Sequence, residues 1–220
     1  MGQVAHPWVR RPWLVLAVWL VTRVWAVASG LQHLPYPRND ILFNDVDVYV
    51  RWSQSIAAGV FPFHDEMWQY PPLAGLVFVA ARFTPLGPYV GFVALALLAD
   101  LALQLVVLAR ARATGGWGGA WVWALTAAIV GPIMLGRFDV FPTLLAVIAV
   151  ATVATPARSG LWAALGAMLK VWPVLTLLAL PRRALLRGGT AFVATGIVVM
   201  TAVLAWSGGG LSFLSFQRSR

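Results

Sequence analysis

The sequence predicts an all-α protein: a polytopic bundle of transmembrane helices with a long first external loop and short or broken membrane helices. Three observations predict it. The chain is 60% hydrophobic and only 10% charged, whereas soluble domains carry about a quarter charged residues. Its mean hydropathy is +0.81. Apolar runs near the roughly 20 residues that a helix needs to cross the hydrocarbon layer alternate with arginine clusters, and Gly or Pro interrupts several of them. The 220 residues read as one membrane domain, within which residues 31–72 form the external loop.

The first run, Trp13–Ser29, follows Arg10 and Arg11. Ala26-Val27-Ala28 resembles a signal-peptide cleavage site, but Arg23 inside the run and Trp25 beside the site argue for an uncleaved span with a cytoplasmic N-terminus. The loop after it holds five of the seven acids (Asp40, Asp45, Asp47, Asp65 and Glu66) and prolines at 35, 37, 62, 71 and 72. Within it, Val46–Gly59 has the pattern of a short amphipathic helix lying along the interface. Leu73–Phe83 is too short to span comfortably and stops at Thr84-Pro85-Leu86-Gly87-Pro88.

Tyr89–Leu108 is a full span, followed by Arg110 and Arg112. Trp117–Leu135 is predicted to span again, and Gly136-Arg137-Phe138-Asp139 connects it tightly to Val140–Ala154. After Pro156-Ala157-Arg158, Leu161–Leu180 is interrupted by Lys170 and Pro173; Arg182, Arg183 and Arg187 close it. The last span is Thr190–Trp206. The arginine clusters belong on the cytoplasmic side of a plasma-membrane protein, which puts the acidic loop, the Gly136–Asp139 connection and the C-terminal tail on the external face. That topology requires Leu73–Phe83 to dip without crossing and the Lys170 segment to dip or form a broken pair. Irregular backbone at such depth lines a cavity or is buried in protein.

Composition also excludes classes. With no cysteine, disulfides and thiolate metal sites cannot exist, and His6, His33 and His64 are too scattered for a ligand cluster. The net charge of +9 arises from short clusters between apolar runs, so the expected partner is membrane lipid and not nucleic acid. No cofactor is expected.

The chemistry-bearing residues are few. Asp45 and Asp47 lie on one side of an extended chain, or about 200° apart on a helix; Asp45 and Tyr49, like Asp47 and Arg51, are one helical turn apart. A carboxylate there could take a proton from an acceptor hydroxyl; the plainer alternative is a solvated loop whose acids pair with Arg38 and Arg51. Trp68, Tyr70 and the intervening Gln suit stacking on a sugar or anchoring at the interface; His64 joins them as a candidate substrate contact. Arg137 could grip a phosphate bidentately, or pair with Asp139 or with an acid of the long loop. Lys170 and Asp100 interrupt apolar segments: Lys170 is a candidate phosphate partner, and Asp100, with Gln104 a turn away, reads as a structural counter-ion for Arg23 or Lys170.

Asp45-x-x-x-Tyr49, then Trp52, Gly59, Pro62, Tyr70-Pro71-Pro72-Leu73, Gly136-x-x-Asp139 and Lys170-x-x-Pro173 resemble in order and spacing the actinobacterial membrane glycosyltransferases of GT-C fold, in particular glycosyltransferase family 87, the polyprenol-phosphate-mannose-dependent alpha-mannosyltransferases. The resemblance implies a GT-C-like bundle whose first external loop is catalytic, with Asp45 as the base and Asp47 as the nearby alternative. It implies a polyprenyl-phosphate sugar donor, a glycolipid or lipid-linked acceptor, and inverting, metal-independent transfer with Arg137 and Lys170 holding the lipid phosphate. The family commonly has an amide pair where this chain has Arg137 and Asp139. It also continues with further spans, so the chain is expected to be an N-terminal portion of a longer fold, inactive alone. The competing readings are a transporter or lipid-linked-sugar flippase relaying through Asp100, Lys170 and Arg23, and a non-catalytic remnant.

Overall fold

A computed structural model describes residues 7–38, 41–63 and 65–206; His64 and the C-terminal tail fall outside them. No strand occurs among the described residues. The helices are α1 (Pro12–Gly30), α2 (Asn44–Ala57), α3 (Ala74–Arg82), α4 (Pro88–Thr114), α5 (Gly118–Val130), α6 (Ile133–Gly136), α7 (Val140–Ala151), α8 (Pro156–Leu169) and α9 (Leu185–Trp206). Proline opens α1, α4 and α8, because its fixed φ suits the first helical position and its missing N–H leaves no bond unmade there.

Among the described residues three stretches are long and apolar enough to cross a membrane: Pro12–Gly30, Pro88–Thr114 and Arg182–Trp206. α3 has nine residues, about 13 Å of helix, far short of the bilayer core. The run expected as one span from Trp117 is instead broken. α5 stops at Val130, Gly131 adopts φ +91, and Pro132 begins the separate turn α6. A side chain at Gly131 would be strained by that φ and would also meet the Tyr36 hydroxyl, 2.5 Å from where a Cβ would lie.

The Lys170 interruption is also explicit. α8 ends at Leu169, Lys170 is extended (φ −157, ψ 135), and residues Trp172–Ala179 form a 3-10 stretch. It runs back along α8: Pro173 lies against Gly166, whereas Leu180 lies against Gly188, itself beside Pro156. The segment is thus interrupted at Lys170 and doubles back on α8.

Side-chain contacts give the bundle two ends. Trp8 packs edge-on against Trp121, and the Trp121 indole donates to the Val9 carbonyl at 2.9 Å, so α1 and α5 begin together. Leu108 and Ala111 of α4 join the same apolar cluster. Arg110 shares a groove with Val150 and Ala151 at the end of α7. The arginine clusters therefore gather at one end. The opposite end holds an aromatic core in which Phe43, Tyr49, Trp52, Trp68, Tyr70, Phe78, Phe92 and Phe138 are all buried.

Midway between the ends, Arg23 of α1 is 1% exposed and Asp100 of α4 is 0% exposed. Arg23 Nε donates to Asp100 Oδ2 at 2.8 Å and Nη2 to Oδ1 at 3.0 Å. The remaining donors reach the Ala124 and Trp123 carbonyls of α5 at 2.6 and 2.9 Å and the Thr22 hydroxyl at 3.0 Å, while the Trp19 indole donates to Asp100 Oδ2 at 2.7 Å. Burying one such charge alone would be prohibitive; here the fork geometry satisfies both partners. Of the two cations available to Asp100, Arg23 is its partner.

Candidate active site

The site begins with how α2 is held. Val46, Tyr49, Trp52, Ser53 and Ile56 recur at helical spacing and are buried, while Asn44, Asp47, Arg51 and Gln54 are exposed. The helix thus lies amphipathically on the aromatic end of the bundle. Its entry is fixed by Phe43, whose ring fills the space beside two glycines: a Cβ at Gly30 would lie 2.2 Å from the ring, and one at Gly136 2.4 Å. This clasp brings the end of α1, the start of α2 and the end of α6 to one point.

Gly136-Arg137-Phe138-Asp139 then acts by alternation. Phe138 is fully buried, packed on Tyr70 at 5.0 Å and Phe78 at 5.2 Å between ring centroids. Its anchoring turns the flanking charges outward. Arg137 Nη1 donates to Asp45 Oδ2 in a short charge-assisted bond. Lys170 Nζ donates to Asp139 Oδ1 at 2.5 Å and lies 6.0 Å from the Tyr70 ring centre, within cation–π range. Both pairs are solvent-accessible: Arg137 and Asp45 are 49% and 34% exposed, Lys170 and Asp139 37% and 51%.

Beneath the charges lie two phenols. The Tyr49 and Tyr70 hydroxyls are 3.2 Å apart, and Tyr49 stacks on Phe78 at 4.7 Å. Burial raises the Tyr49 hydroxyl far above its ordinary range, with the neighbouring Tyr70 adding to it. Burial likewise raises Tyr70, against a lowering by the Tyr49 bond and the Arg137 charge. Both are therefore neutral hydrogen-bonding groups at any ordinary pH.

The structure thus unites six of the candidates (Asp45, Tyr49, Tyr70, Arg137, Asp139 and Lys170) and leaves others apart. Asp47 and Arg51 point to the exposed side of α2, and no ion pair joins them among the described residues. Asp47 is separated from Asp45 because position i+2 on a helix turns about 200°. Trp68 is buried among Trp52 and Phe61, so it packs the loop and does not face the charges. Asp65 fastens the same loop, accepting from the Trp52 indole at 2.7 Å and the Met67 amide at 2.8 Å. His64 lies outside the described residues. Arg137 and Asp139 do not pair with each other: each takes a partner from a different segment.

Sequence reasoning missed Phe43, Phe78 and Phe138, which hold the site without touching it chemically. Phe138 had a usable signal, since an aromatic between two charges in a four-residue connection must bury itself somewhere. Arg137 and Asp139 also line the mouth of a cleft of about 210 Å³ that runs between α5 and α7 over Thr126, Val130, Met134, Val140 and Thr143. Its charged lining is one cation and one acid, and the rest of its wall is largely apolar.

A model of glycosyltransferase family 87 matches residues 68–218, a span that takes in Tyr70, the Arg137–Asp139 connection and Lys170 and begins after Asp45 and Tyr49. No curated protein and no solved structure matches the chain.

Proposed function

The chain belongs to glycosyltransferase family 87, a membrane glycosyltransferase family, and from that premise we propose that it moves a hexose, mannose, from a polyprenyl-phosphate donor to a lipid-linked or glycolipid acceptor, with inversion at the sugar. The observation that carries the reading is a solvent-accessible carboxylate, Asp45, standing beside a guanidinium, with a second cation, Lys170, in the same cluster.

In this reading Asp45 accepts the proton of the acceptor hydroxyl as that oxygen forms its bond to the anomeric carbon. The bond from that carbon to the phosphate oxygen breaks, and its electron pair leaves with the lipid phosphate. Arg137 and Lys170 neutralise the charge that develops there. The cleft between α5 and α7 would take the first isoprene units. Tyr49 and Tyr70, held neutral by burial, supply hydroxyls beneath the sugar.

The transporter alternative relays through Asp100, Lys170 and Arg23, and no observation favours it: Lys170 is paired with Asp139, away from Arg23 and Asp100, which hold each other. The hydrogen-bonding capacity of Arg23 and Asp100 is consumed in joining α1, α4 and α5.

Transfer from polyprenyl phosphate mannose, measured in membranes carrying the protein, tests the assignment. Asp45→Asn is expected to lower the rate about 100-fold or more, and Asp47→Asn to change it less than about threefold. Undiminished transfer by Asp45→Asn would overturn the assignment of the base.

A further inference from the structure

Asp139 immediately precedes α7, where an aspartate ordinarily caps a helix by accepting a bond from a first-turn amide. Its side chain makes no cap bond. The carboxylate is committed instead to Lys170 across 31 residues of chain. Arg137, two residues earlier, is committed to Asp45. Among the described residues each cation of the site is therefore matched by an acid, and the four formal charges sum to zero.

The exposure of these pairs decides how durable they are. Arg23 and Asp100 are sealed from water, whereas Lys170 and Asp139 are 37% and 51% exposed. An accessible pair of that kind is weak and exchanges readily for another anion. If Asp139 let go, the Tyr70 ring, 6.0 Å from the ammonium, would keep Lys170 over the site.

Building on the glycosyltransferase reading, we propose that Asp139 is a built-in competitor of the donor phosphate for Lys170: it holds the ammonium in the empty site, yields it when donor binds and reclaims it when product leaves. The chemistry gives this a purpose. A sugar-phosphate-lipid donor is a phosphodiester with one negative charge. Breaking the anomeric bond leaves a monoester, which carries about −1.5 to −2 at pH 7. Two unopposed cations would retain that product more tightly than the donor. An acid within reach of Lys170 levels the difference. Asp139 is thus a positioning residue for Lys170 and touches neither the sugar nor the acceptor.

The test is binding of a polyprenyl monophosphate to the whole chain in nanodiscs of neutral phosphatidylcholine. Polyprenol without phosphate and inorganic phosphate serve as separate arms for the lipid and the charge. Asp139→Asn, which has no cap bond to lose, is expected to bind polyprenyl monophosphate about fivefold more tightly, the equivalent of about 1 kcal/mol, with polyprenol binding unchanged. Asp139→Glu keeps the charge and is expected to bind like the unchanged chain. Lys170→Gln is expected to weaken binding, and adding Asp139→Asn to it to have no further effect, a result that a merely structural aspartate would not give. Unchanged or weaker binding by Asp139→Asn, tightening by Asp139→Glu, or tightening that survives in the Lys170→Gln background each overturns the inference alone. Failure of the unchanged chain to bind polyprenyl monophosphate overturns the donor assignment, and this inference with it.

Discussion

Tyr49 shows how far one side chain can be set by its surroundings. It is buried against Phe78 with its hydroxyl on Tyr70, and burial raises its pKa above the ordinary tyrosine value of about 10. Between that value and the higher folded one, the unfolded chain has released the proton and the folded chain has not. The contribution is therefore complete below about pH 10 and lost as pH rises beyond it. Thermal unfolding in detergent is expected to show a midpoint that falls from about pH 10 upward, and Tyr49→Phe is expected to fall less steeply. An equal slope in both would place the alkaline sensitivity elsewhere. Asp45 stood out as a candidate in the sequence because acids are so scarce in this chain and a tyrosine follows at one helical turn. The Tyr49–Tyr70 bond was not legible, since its partners are 21 residues apart and only the packing of α2 on α3 joins them.

At the scale of elements, the Phe43 clasp couples three segments, of which α2 carries Asp45 into the site. α2 was readable as an amphipathic helix because its buried positions repeat at 3.6 residues. The break between α5 and α6 was not, because an apolar run with one Gly-Pro step reads as continuous on hydropathy alone. That break frees Gly136 to approach Phe43 and the Leu42 carbonyl, which would lie 2.4 and 3.0 Å from an added Cβ. Gly136→Ala is expected to destabilise the protein by about 1–3 kcal/mol and, by displacing α2, to lower sugar transfer as well. Denaturant unfolding and the transfer assay check the two effects; wild-type behaviour in both would remove the clasp from the account of the site.

For the whole molecule, the gathering of the arginine clusters at one end and of the aromatic core at the other sets up a test of orientation. The chain contains no cysteine, so single cysteines report without background. Leu34 and Gly116 are exposed at opposite ends. A membrane-impermeant thiol reagent added to intact cells is expected to label Leu34→Cys and to reach Gly116→Cys only after permeabilisation; the reverse pattern would invert the topology. The bundle class was legible from composition, and the ends of the long helices from prolines and arginines. The folding-back of residues 172–179 was not, because a 3-10 stretch of eight residues is longer than such helices usually run and leaves no distinctive periodicity.

The Arg23–Asp100 pair has a consequence for biogenesis. α1 emerges from the ribosome long before α4, so Arg23 first meets the bilayer with no acid to oppose it, at a cost of about 2.5–3.5 kcal/mol at a helix centre. Its other acceptors, the carbonyls of α5, arrive later still. α1 is therefore expected to reach its final place only once α4 and α5 have supplied the partners of Arg23.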